Sequence, residues 1–263
     1  MTVGEIILYT IIALSLTLLI ITGVSLIRRG KASNQYNLVI LGINELLICI
    51  SYILIAFTDF WIYINIQMVT LDVLYLIFIR KTFYQKRTLT FRLILINVLG
   101  LGAICIGIAI AHSLQLIEKN TIVRLIDTIC TNGLIIPVFL WYFLSAKKAR
   151  IRLKGMDVEP WILTRLKIIE ISSLLGAFVQ VSDFLRIYPA VDLADPNNII
   201  SVIIFYIQST MAVVGAVLQY FAWMMPPKLK NRINKNYKKD ADLDKIKKLS
   251  EDEILFRFKE DST

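Results

Sequence analysis

Leu93–His112 reads LILINVLGLGAICIGIAIAH, twenty residues without a single Lys, Arg, Asp or Glu. At a rise of about 1.5 Å per residue this is one crossing of about 30 Å of hydrocarbon. Six more stretches of the same kind flank it: Ile6–Ile27, Tyr36–Phe57, Trp61–Ile79, Ile122–Ser145, Leu163–Leu185 and Ile199–Met225. Together they take up more than half of the chain, in keeping with a hydrophobic fraction of 57% and a mean hydropathy of +0.67. A soluble domain of 263 residues buries one core under a polar surface, and no polar surface of that size exists here. The expected fold is all-α: a polytopic membrane protein with a seven-transmembrane helix domain over residues 1–225 and a basic, amphipathic tail over residues 226–263.

The connections give the expected orientation. Arg28, Arg29 and Lys31 follow the first stretch, Arg80, Lys81, Lys86, Arg87 and Arg92 surround the third connection, and Lys147, Lys148, Arg150, Arg152, Lys154, Arg165 and Lys167 mark the fifth. The tail opens with Lys228, Lys230, Arg232, Lys235, Lys238 and Lys239. The other connections hold Asp59, then Glu118 with Lys119, then Arg186, Asp192 and Asp195. Lys and Arg beside membrane-spanning ends stay in the cytoplasm, so the expected topology has the N-terminus outside and the C-terminus inside. The net charge of +9 is then a topology signal and a contact with an anionic inner leaflet, and not a sign of nucleic-acid binding. Glu5 precedes the first stretch and the basic residues follow it, the reverse of a cleaved secretory peptide, so an uncleaved anchor is expected.

Leu229, Ile233 and Tyr237 recur at every fourth residue of the tail among Lys and Arg, the pattern of an amphipathic helix lying on the inner leaflet. Ile254, Leu255, Phe256 and Phe258 would fold back on the membrane or dock on a partner. Cys49, Cys105 and Cys130 all fall within apolar stretches without a CxxC pair, so buried, unbridged thiols are expected.

The chemistry lies inside the spans. An ionisable group in hydrocarbon costs about 2.5–3.5 kcal/mol or more, so such groups face the bundle interior and mark functional paths. Counted from the basic end, Glu45 is roughly 13 Å deep, Asp72 roughly 12 Å and Glu170 roughly 10 Å. Gln219 lies at a similar depth and Asn97 is shallower. These residues, with Asn44 beside Glu45, form a candidate polar layer without an evident cation inside it. Glu45 and Asp72 are expected to sit at one level and to share a proton or a cation. Polar stripes continue the face: Asn37, Asn44 and Ser51; Asn65, Met68, Asp72 and Tyr75; Glu170, Ser173, Ala177 and Gln180; Ser201, Gln208, Ala212, Gly215 and Gln219. The plain alternative is hydrogen bonding between helices.

At the other end, Arg124 with Asp127 and Asp183 with Arg186 are neighbours three residues apart, either ion pairs at the rim or the lining of an outer pocket with His112, Gln208 and Trp61. Gly100, Ala103, Gly107 and Ala111 form a small-residue stripe expected to pack closely on another helix. Pro137, the proline within a span, is expected to kink the fifth helix and act as a hinge.

Several enzyme classes are excluded by counting. The single histidine, His112, cannot build a zinc hydrolase site or a bis-His haem, and it has no GxSG-like nucleophile context. The expectation is therefore a non-enzyme without metal or cofactor, with a carboxylate-only or metal-dependent lipid transferase the enzyme class that counting leaves open. The seven-helix plan resembles that of heptahelical receptors and rhodopsins in architecture. Ile199–Met225 lacks the lysine of a retinal Schiff base, Phe78-Ile79-Arg80-Lys81 lacks the acidic–Arg–aromatic triplet, and Ala222–Pro227 lacks the Asn-Pro-x-x-Tyr run. Composition rich in Ile, Asn and Lys points to a prokaryotic plasma membrane. Two functions fit: a sensory, receptor-like module relaying a ligand or membrane signal to a cytoplasmic partner, or a small cation or proton carrier using Glu45, Asp72 and Glu170.

Overall fold

The computed structural model of the chain describes residues 3–57, 61–84, 88–118, 121–154, 156, 158–182 and 199–235. All regular structure among these residues is helical: α1 (Val3–Ala32), α2 (Tyr36–Phe57), α3 (Trp61–Phe83), α4 (Leu89–Ser113), α5 (Thr121–Leu153), α6 (Pro160–Ser182), α7 (Ile199–Met224) and α8 (Pro227–Ile233). Five of them, α1, α3, α4, α5 and α7, are long and apolar enough to cross a membrane. That length and composition mark a membrane protein. In α2 the apolar part with described side chains is Tyr36–Ser51, and α6 carries Arg165, Lys167 and Glu170.

Helices α1, α2, α3, α5, α6 and α7 pack side by side into a closed ring, with α1 returning onto α7. Helix α4 lies outside the ring in the groove between α3 and α5, which touch each other beneath it. The C-terminal ends of α1, α3, α5 and α7 share one end of the bundle with the starts of α2, α4 and α6; this is the basic end.

The turn between α1 and α2 is tight because Asn34 adopts φ 57°, a left-handed conformation that Asn tolerates, and the Gln35 amide returns to the Gly30 carbonyl at 2.7 Å. The two helices then run antiparallel with their backbones in contact. A Cβ on Gly42 would stand 2.6 Å from the Gly23 carbonyl, and one on Gly23 would stand 2.9 Å from the Gly42 carbonyl. Close packing is thus built on glycines of α1 and α2, and on Gly102 of α4, where a Cβ would strike Val69. The expectation for the α4 stripe fails: Gly100, Ala103 and Gly107 are exposed, and a Cβ on Gly100 or Gly107 would meet nothing within 4 Å. The reason is rotational register, since α4 turns Phe91, Val98, Gly102, Cys105 and Ala109 inward and leaves the stripe on the opposite face.

Two boundaries also move. Helix α5 continues two turns past Ser145 to Leu153, so most of the expected basic loop is helical. Residues 146–153 contain no Gly or Pro to stop it, and Ala146, Ala149 and Leu153 remain buried. The tail helix is shorter than its periodicity implied. It runs from Pro227 to Ile233 and ends at Asn234; Tyr237 and residues 254–258 lie outside the described residues. The three cysteines are free and buried.

Aromatic side chains fill the basic half of the core. Phe78 meets Tyr142 and Trp223 edge-on, at 5.8 and 5.5 Å between ring centroids. Tyr84 stacks on Trp141 at 5.4 Å and its hydroxyl reaches Ser145 Oγ at 2.9 Å. Such pairs add about 0.5–1.5 kcal/mol each beyond the area they bury.

Candidate functional site

Helix α2 carries Asn44 and Glu45 into the interior, where both are buried. The Tyr75 hydroxyl of α3 donates to Glu45 Oε1 at 3.4 Å. The Asn44 amide approaches the same hydroxyl without reaching hydrogen-bond geometry, so neither its Nδ2 nor its Oδ1 has a hydrogen-bond partner among the described residues. Across from Tyr75 stands Tyr142 of α5, fully buried, with ring centroids 6.2 Å apart. The Tyr142 hydroxyl feels both the Glu45 carboxylate and Arg165, and lies near Gln219 and Trp223 without completing a hydrogen bond to either.

The chain of polar groups continues on α7 and α6. Trp223 Nε1 donates to Gln219 Oε1 at 3.0 Å. The Arg165 guanidinium lies over the Trp223 ring at 4.3 Å, a cation–π contact that holds a charge in a desolvated position. Arg29 at the end of α1 faces Arg165 with like charge. Glu45, Tyr75, Tyr142, Gln219, Trp223 and Arg165 therefore form one succession of polar and aromatic groups through α2, α3, α5, α7 and α6. It starts inside the bundle and ends at the basic face.

A second polar assembly ties α8 to the start of α6. Glu159 Oε2 accepts from Trp161 Nε1 at 2.5 Å and from Asn234 Nδ2 at 3.0 Å. The Trp161 backbone N–H donates to Asn234 Oδ1 at 3.2 Å, and Lys230 Nζ sits 3.7 Å from the centroid of the Trp161 ring. Four side chains clasp the short helix beside the bundle.

The residues singled out from sequence distribute unevenly over this plan. Glu45, Asn44 and Gln219 fall in the buried succession. Asp72 is buried at 4% exposure, but no hydrogen bond joins it to Glu45, and its Oδ2 has no partner among the described residues. Glu170 corrects the idea of a layer without a cation: Arg150, on the helical extension of α5, holds it through Nε at 2.5 Å and Nη2 at 3.1 Å. Asn97 serves α5, donating to the Gly133 carbonyl at 2.7 Å. Pro137 sits inside a continuous α5.

At the opposite end, the described residues of the expected pocket have partners on several helices. His112 Nδ1 pairs with the Ile117 carbonyl at 3.2 Å, closing the end of α4. Gln208 donates to Ser182 Oγ at 3.0 Å, joining α7 to α6. Arg124 is exposed, and Asp127 lies near the Cys105 and Cys130 thiols. Asp183, Arg186 and the Trp61 side chain lie outside the described residues. No group of three or more His, Cys, Asp or Glu among the described residues could hold a metal ion.

Compared with protein-family models, with curated proteins and with solved structures, the chain matches none. Sequence reading passed over Tyr142, Trp223, Arg165 and the clasp of Glu159, Trp161, Lys230 and Asn234. In the sequence Arg165 reads as a loop charge, but its position five residues after Pro160, one turn before Ile169 and Glu170, places it on the buried face.

Proposed function

We propose that this chain is a sensory, receptor-like membrane protein with α1–α7 as seven membrane crossings, the N-terminus outside and the C-terminus in the cytoplasm. A signal received in the bundle passes along the buried succession from Glu45 to Arg165 and reaches a cytoplasmic partner at the basic face. The observation that carries this reading is that succession itself: five helices meet through polar and aromatic groups that are nearly all sealed from solvent. A buried network of this kind has few alternative arrangements, so a change of charge at one end is felt at the other. The clasped α8 and the exposed Lys147, Lys148, Lys154, Lys167, Lys228 and Arg232, with the half-buried Arg152, supply a basic surface for the partner or for anionic lipid.

The experiment that tests it is cysteine labelling at the clasp, with the full chain in lipid nanodiscs. Asn231→Cys should change its rate of reaction with a maleimide when Tyr142→Phe is added, because the two positions are coupled through Trp223, Arg165 and α6. An unchanged rate in a folded double variant would break the relay.

A second reading, a small proton or cation carrier, is favoured by Asp72, whose unpaired Oδ2 is a costly feature for packing alone. Cation or proton flux in proteoliposomes that disappears in Asp72→Asn would select it over the relay.

A further inference from the structure

We infer that the oxygens of Asn44, Glu45, Tyr75 and Tyr142 form a binding site for one small monovalent cation of sodium size, with the proton as its competitor. The inference rests on the reading of the buried succession as the working part of the bundle and gives its inner end a ligand. The first observation is a missing set of partners. Asn44 and Tyr142 are both 0% exposed, yet the Asn44 Oδ1 and Tyr142 hydroxyl oxygens accept no hydrogen bond among the described residues. The Tyr75 hydroxyl links Asn44 to Glu45, approaching the first and bonding the second, and Tyr142 feels the same carboxylate. Buried polar groups are nearly always paired, so these orphaned acceptors ask for a ligand that brings positive charge.

The second observation is the chemistry of the set. Glu45 offers a carboxylate, Asn44 an amide carbonyl, and Tyr75 and Tyr142 phenol oxygens, which are donors for a hard cation. The one nearby sulfur turns away, because the Cys49 thiol donates to the Glu45 backbone carbonyl at 3.4 Å. With a single carboxylate, one monovalent ion leaves the site neutral in the low-dielectric interior, whereas a divalent ion would leave a charge there.

Among the described residues, the groups that interact with Glu45 do not supply that positive charge. They are Cys49 on its own helix, Tyr75 on α3 and Tyr142 on α5. Gln219 and Trp223 on α7 are neutral. Arg165 on α6 interacts with Tyr142 and lies over the Trp223 ring, and Arg29 on α1 acts on Arg165 with like charge. Cation and proton need the same carboxylate, so binding of the cation strengthens as pH rises and the proton leaves Glu45.

The test is the melting temperature of the full chain in nanodiscs, in sodium, potassium or choline chloride at one ionic strength, from pH 5.5 to 8.5. Sodium should raise the midpoint over choline by about 3 °C or more at the alkaline end, and the gain should fade towards the acidic end. Glu45→Gln and Asn44→Ala should lose the gain, and Tyr142→Phe should reduce it. Equal midpoints in the three salts at every pH overturn the site, and so does a gain kept in Glu45→Gln. Should Glu45→Gln fail to fold, Asn44→Ala decides: a full sodium gain in that variant overturns the site. None of these failures touches the relay, which is judged by the Asn231→Cys labelling rate.

Discussion

Asn97 on α4 donates its side-chain amide to the carbonyl of Gly133 on α5 at 2.7 Å, and Gly133 stands four residues before Pro137. That carbonyl is the one Pro137 cannot serve, because proline has no N–H. A neighbouring helix thus supplies the donor that the proline removes, and α4 is keyed to α5 at the proline turn. Asn97→Leu should therefore cost about 1–3 kcal/mol by leaving a carbonyl unpaired. Pro137→Ala restores the helical donor, so the same Asn97→Leu change should cost less in that background. Unfolding of both single variants and the double variant in detergent measures the coupling; strictly additive losses would separate the two residues.

The glycine contacts give opposite expectations on two faces. Gly42→Ala pushes a methyl into the Gly23 backbone and should destabilise by about 1–3 kcal/mol. Gly100→Ala and Gly107→Ala meet open space and should be neutral or stabilising by up to about 1 kcal/mol through helix propensity. Melting temperatures of the three variants in one detergent check the contrast.

How much of this was legible follows from the kind of signal each feature leaves. Apolar length is a one-dimensional property, so the helices from Leu93–His112 outward emerged from the sequence, while α5 runs two turns past its expected end because its last turns are basic. The face that each helix turns inward depends on neighbours far away in the chain. The stripe of Gly100, Ala103 and Gly107 looked like a packing surface but faces outward, while Gly23 and Gly42, nineteen residues apart, carried no mark of their contact. Glu45 announced itself as a buried carboxylate, whereas Tyr142 and Trp223 read as ordinary core aromatics until α5 and α7 were brought together. Arg150 belonged to a presumed loop, and only the extension of α5 carries it to Glu170.

Topology is tested independently of any side-chain contact. Cysteines placed at Ser33 and Gln85 should be shielded from an impermeant external thiol reagent in intact cells, and one at Asn197 should be labelled. Labelling of Gln85→Cys from outside would reverse the orientation.

The clasp should be fragile to single changes. Asn234→Ala removes the acceptor of the Trp161 backbone N–H and one donor to Glu159, at a cost of about 1–2 kcal/mol to α8 docking. Limited proteolysis should then cut around Lys228–Lys235 sooner than in the unaltered protein, while the bundle keeps its melting temperature. Unchanged cleavage would mean that α8 is held by something other than the clasp.

The most direct test of the central claim, that the interior around Glu45 is coupled to the basic face, is hydrogen exchange in nanodiscs at one pH. Wild type and Glu45→Gln are compared over Glu159–Leu166 and Pro226–Lys235. Glutamine weakens the bond that Tyr75 donates, so the Tyr142–Gln219–Trp223–Arg165 succession loosens, and exchange in both segments should quicken although neither touches residue 45. Exchange that changes only in α2 and α3, with both distant segments identical to wild type, would contradict the account.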